Sequence, residues 1–167
     1  MSDELVIYPE RISAKPLVFE GTADPSRFPD LAESLANDEG ELRFKVTARL
    51  EGERRRVLSC IIEGFVFLTC QRSLEAFRHE LTITDVLVLV DSESELPPIQ
   101  EESDAEDYIV ADGPIDVLDL VEEEVLLALP MVPRKPGLNE GEEAAAIAAA
   151  PKPSPFAALA GLKKKPD

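Results

Sequence analysis

The chain has 167 residues, 44% apolar but only 5% aromatic and without tryptophan, and a net charge of −17. That length suits one domain with room for a tail, and the composition allows a core built from aliphatic side chains. No stretch reaches the roughly 18 unbroken apolar residues of a membrane helix. The opening MSDELVIYPE lacks the basic and long apolar regions of a secretory signal, so the chain reads as soluble and cytoplasmic.

The charge is unevenly spread. Residues 1–90 hold 16 acids and 11 bases, residues 91–133 hold 14 acids and no base, and residues 134–167 hold 4 acids and 6 bases. So negative a field repels phosphates and attracts basic partners, leaving RNA contact to local basic patches.

In chain order, KPLVFEG (15–21) offers a first strand, and DPSRFPDLAESLAN (24–37) a short helix with Phe28, Leu31 and Leu35 at helical spacing. ELRFKVTARL (41–50) alternates strictly, with Leu42, Phe44, Val46, Ala48 and Leu50 on one side, which predicts a half-buried strand. EGE (51–53) reads as a turn into RRRVLSCIIEGFVFLTC (54–70), a nearly continuous β-branched and aromatic run in which Gly64 suggests a bulge or bend. QRSLEA (71–76) connects it to FRHELTITDVLVLV (77–90). Three sequential strands with short turns predict an antiparallel meander.

Residues 91–107 form an acidic, proline-containing loop, followed by a short strand and turn in YIVADGPI. DVLDLVEEEVLLALP (116–130) is the strongest helix, with Leu118, Val121, Val125 and Leu129 along one face, Asp116 at its N-cap and Pro130 at its end. Residues 134–152, rich in Ala, Pro, Gly and charge, read as a disordered linker. In PSPFAALAGLKKK (153–165), Phe156, Leu159 and Leu162 form a short stripe ahead of Lys163, Lys164 and Lys165. That is the form of a helix-in-groove recognition peptide on a tether.

Catalytic chemistry finds little support. Cys60 and Cys70 lie in strand-like sequence and read as buried thiols. CQRS (70–73) with His79 supplies too few ligands for zinc, and no phosphate loop, hydrolytic triad or calcium loop is present. No catalytic residue, metal or cofactor is expected. Arg54, Arg55 and Arg56, with Arg43, Lys45 and Arg49 on the neighbouring strand and Arg72 beyond, are candidates for RNA contact. A solvated face whose bases pair with Glu41, Glu51 and Glu53 explains the same charges. The acids of 91–124 suit a basic ribosomal or nucleic-acid-binding protein.

CQRSLEAF (70–77), LVEEEVLLALPMVP (120–133) and PSPFAALAGLKKK (153–165), in this order and spacing, resemble the YceD family of large ribosomal RNA subunit accumulation proteins. The resemblance runs from about Leu42 onward. It implies a role in synthesis, processing or stability of 23S rRNA, and it carries no catalytic residues. Two departures stand out: Ser73 replaces a second cysteine common at that turn, and Ser154 replaces an asparagine before Phe156.

The expectation is therefore an α+β domain over residues 1–133, an antiparallel sheet with one or two packed helices. A linker (134–152) and a recognition motif (153–167) follow. The function expected is a non-enzymatic factor in large-subunit biogenesis. It binds an assembly component, rRNA or a large-subunit ribosomal protein, through Phe156, Leu159, Leu162 and Lys163 to Lys165. It uses neither a membrane nor a small-molecule substrate. The alternative is an acidic, chaperone-like binder of a basic ribosomal protein.

Overall fold

Alternation along the apolar strands builds most of the molecule. The computed structural model describes residues 5–101 and 104–136. The first of its two units ends at Pro133. Within it, β1 (Val6–Ile7) precedes β2 (Leu17–Ala23), α1 (Pro29–Ser34), and the three long strands β3 (Gly40–Glu51), β4 (Arg55–Thr69) and β5 (Ala76–Val90). Then come β6 (Asp107–Val110), β7 (Ile115–Asp116) and α2 (Val117–Ala128). The architecture is α+β.

Five strands form one sheet in the order β2-β3-β4-β5-β6, while β1 and β7 pair separately. The β2–β5 part is the antiparallel meander that the alternating runs predict. β6 departs from it, pairing parallel to β5 with Leu87 opposite Asp107 and Val90 opposite Val110. A parallel partner needs a connection of a dozen or more residues. The acidic segment 91–106 supplies it, through two short 3-10 turns at Glu93–Glu95 and Ile99–Glu101.

The register from Gly40↔Val66 to Glu51↔Arg55 and from Arg56↔Leu89 to Thr69↔Ala76 is unbroken, so Gly64 marks no bulge. Gly64 is required by close approach instead. Its φ is +155°, and a Cβ there would lie 1.9 Å from the Glu41 carbonyl oxygen.

One face of the sheet is closed. Leu42, Phe44, Val46 and Ala48 of β3, Leu58, Cys60, Ile62, Val66 and Leu68 of β4, and Leu81, Leu87 and Leu89 of β5 join one core with α1 and α2. α1 is shorter than the span read from 24–37, because a 3-10 turn (Pro25–Arg27) occupies the start. α2 begins as expected, with Asp116 Oδ1 accepting from Leu118 N at 2.8 Å and Asp119 N at 3.3 Å. Its buried stripe is Val117, Leu120, Val121 and Val125, about one residue round from the stripe centred on Leu118. The N-terminal segment is tied down where Val117 N donates to Leu5 O at 2.7 Å.

Candidate functional site

Among the described residues, the other face of the sheet carries no helix. Its rows follow from the register: Thr22–Arg43–Glu63–Thr82, Glu20–Lys45–Ile61–Thr84 and Val18–Thr47–Ser59–Val86. Acid and base stand side by side on it. Arg49 Nη2 lies 2.5 Å from Glu51, Arg78 Nε 2.6 Å from Glu80 and Arg43 Nε 3.8 Å from Glu41. The Arg78 guanidinium also stacks 3.7 Å from the centre of the Phe65 ring. Glu41 and Glu51 thus serve as the partners that a solvated face requires. Between these pairs lie small and β-branched side chains, including Val18 and the 39%-exposed Ile61.

The arginine run does not share one orientation. Arg54 lies in the turn, while Arg55 and Arg56 begin β4 and alternate across it. Arg55 reaches Glu51 at 3.5 Å and also pairs with Glu106, and Arg56 pairs with Asp91. Acids from the 91–106 connection therefore meet the very bases that were candidates for phosphate. The run borders a cleft of about 830 Å³ shared with Ile12, Leu50, Val90 and Glu95. Arg72 is on the β4–β5 turn, at the far end of a strand roughly 45 Å long by its rise per residue. The structure does not bring it to Arg54, Arg55 and Arg56. Phe156, Leu159, Leu162, Lys163, Lys164 and Lys165 lie outside the described residues.

Cys60 and Cys70 are buried, and neither forms a disulfide. Burial first, then the charges of Glu124 and Asp85, push the Cys60 thiol up to about 12. It is not a thiolate nucleophile. His79 packs edge-on against Phe77 with ring centres 6.5 Å apart. No group of three or more His, Cys, Asp or Glu side chains suited to a metal occurs among the described residues.

The closed face holds acids that the sequence reading left unassigned. Glu122 of α2 points at the start of α1, where Oε1 accepts from Asp30 N at 2.7 Å and Leu31 N at 2.9 Å. The residue before α1 is Phe28, which has no capping oxygen, so a carboxylate 92 positions away satisfies the free amides. Glu124 is 6% exposed. Burial, and then Asp85 by charge and hydrogen bond, raise its carboxyl to about 7, with Asp107 and Glu123 adding to the effect. Asp85 Oδ1 in turn accepts from Val86 N at 2.9 Å. The signal was present in the sequence: Glu124 sits between Val121 and Val125 on the apolar side of the helix, and Asp85 interrupts an otherwise apolar strand.

Two of the sequence motifs meet at the end of α2. Gln71 N, on the β4–β5 turn, donates to Pro133 O at 2.9 Å. Here Leu74 (φ 58°), Leu127, Val132 and the fully exposed Met131 face outward. A cleft of about 360 Å³ between Leu68, Leu126, Leu129 and Pro130 opens beside them. No helix among the described residues is long and apolar enough to cross a membrane.

Comparison with known proteins agrees with the motifs. A protein of Haemophilus influenzae named large ribosomal RNA subunit accumulation protein YceD is 28% identical over 171 aligned positions, covering 96% of each chain. No solved structure matches. The profile of a family described as large ribosomal RNA subunit accumulation protein YceD matches residues 58–163, which run from within β4 through α2 and take in the first two motifs whole and the third as far as Lys163. With more than half of its length inside that match, the chain belongs to the YceD family.

Proposed function

We propose that this protein is a non-enzymatic binding factor that supports accumulation of 23S rRNA during large-subunit biogenesis. Family membership along the chain carries the reading. The protein acts by holding an assembly component, either rRNA or a large-subunit ribosomal protein. In the tail, Phe156, Leu159 and Leu162 serve as anchors, and Lys163 to Lys165 as charge contacts. The test is 23S rRNA level in cells lacking the gene and complemented with wild type or with Phe156→Ala plus Leu159→Ala. Deletion is expected to lower 23S rRNA and the double variant to fail to restore it. Full restoration would remove the tail from the mechanism.

A second reading, an acidic holder of a basic ribosomal protein, is favoured by a specific observation. Arg55 and Arg56 are engaged by Glu106 and Asp91, so two of the three arginines in the densest basic run of the domain are already paired with acids. The 14 acids of residues 91–133 face no base in that segment. A basic protein is drawn to such a surface, whereas bare RNA is repelled.

A further inference from the structure

β5 is much longer than the strand beside it. Residues Ala76–Val90 pair along their whole length with β4, but β6 covers only Leu87–Val90. The parity of the exposed edge follows from two contacts. Val90 O accepts from Ala111 N at 2.8 Å, and Val86 N donates to its neighbour's Asp85 Oδ1 rather than to β4. Even-numbered residues therefore aim their backbone groups away from β4, and with no bulge in the register this holds down the strand. Arg78, Glu80, Thr82 and Thr84 present N–H and C=O groups that meet no partner among the described residues, and all four are exposed. Asp85, Asp107 and Glu124 cluster at the upper end of this edge.

We infer that the free edge of β5, from Ala76 to Asp85, takes an added strand from a lysine- or arginine-rich protein segment, one of whose basic side chains meets Asp85, Asp107 and Glu124. An open ladder of amides and carbonyls is completed by a polypeptide backbone, which RNA does not have. A second copy of this chain is disfavoured by mutual repulsion between molecules of net charge −17, whereas a basic segment is attracted. The added strand continues the line of β6 along β5. This deepens the second reading above and rests on it.

The experiment uses the full chain and a synthetic ten-residue peptide alternating valine with lysine or threonine, read by amide hydrogen exchange. The amides of Arg78, Glu80, Thr82 and Thr84 are expected to slow at least tenfold on addition of peptide, while the odd-numbered amides, already bonded to β4, stay unchanged. A glutamate-for-lysine peptide, and a peptide N-methylated on its pairing amides, are expected to bind at least tenfold more weakly. Thr82→Pro removes only an outward N–H, which an edge strand tolerates. It is expected to keep the odd-numbered protection and lose the peptide, whereas Thr82→Ala keeps both. Glu124→Gln is expected to weaken binding several-fold.

Protection of the four amides before any peptide is added would overturn the inference, because a second copy or the chain's own remaining residues would hold the edge. So would Thr82→Pro binding as wild type, or a single-stranded RNA protecting the same amides. In cells, Thr82→Pro with normal 23S rRNA overturns the inference and leaves the proposed function standing. Normal 23S rRNA after deletion of the gene overturns the function, and the exchange pattern still decides the edge.

Discussion

The two faces of the sheet share the same strands yet differ in almost everything else. On the closed face, Val46, Cys60 and Ile62 are wholly buried. On the other, their sequence neighbours Lys45, Ser59 and Ile61 stand in rows of small and charged side chains. The contrast shows where stability resides. Burial of aliphatic surface on one side holds the sheet together. The other side presents polar and charged groups that no helix among the described residues covers.

The largest expected loss breaks the backbone on which both faces depend. Gly64→Ala places a methyl group against the Glu41 carbonyl at a positive φ and is expected to cost about 3 kcal/mol or more, or to prevent folding. Chemical denaturation checks it. Next is the closed face, where Ile62→Ala is expected to cost about 2–5 kcal/mol through lost burial and the cavity left behind. Ile61→Thr, one residue away on the open face, is expected to stay within about 0.5 kcal/mol of wild type. Equal losses at the two positions would abolish the distinction between the faces.

A sharper test uses pH. Because the Glu124 carboxyl sits near 7 in the folded chain and near 4.5 when unfolded, the folded state holds its proton more tightly. The resulting stability is full below the unfolded value and is lost as pH rises to about 7. Glu124→Gln is therefore expected to match wild type near pH 4 and to be more stable by about 3 kcal/mol at pH 8. Thermal melts across that range measure it, and a gain confined to acid pH would contradict the assignment. A smaller effect is expected from Glu122→Ala, which uncovers the first amides of α1 and should cost about 1 kcal/mol. The smallest is expected at Arg56→Gln, whose pair with Asp91 is partly exposed and should be worth less than about 1 kcal/mol, shrinking with salt.

Much of the fold was legible because its signals are local. The alternation of 41–50, the apolar run of 54–70 and the Asp116 cap each name their element without reference to the rest of the chain. Other features depend on partners far away in sequence. Strand pairing leaves no local mark of direction, so the parallel β6 was not visible. Nor was the role of Gly64, which answers to the approach of β3 rather than to a bulge. Among the candidate site residues, Arg54, Arg55 and Arg56 were easy to find as a run. The acids that pair with Arg55 and Arg56, Glu106 and Asp91, lie 51 and 35 positions away.

The sequence by itself determined the three long strands and the main helix, which side of those strands is apolar, that the chain is strongly acidic, and to which family its motifs belong. Those properties follow from neighbours in the chain, where side-chain period and composition suffice. Only the tertiary structure decided which acids meet which bases, that Glu122 caps a helix 92 residues away, that Asp85 and Glu124 lie together, and that β5 outruns β6. Each of these depends on distance in space, and the closing of the sheet under α2 sets those distances.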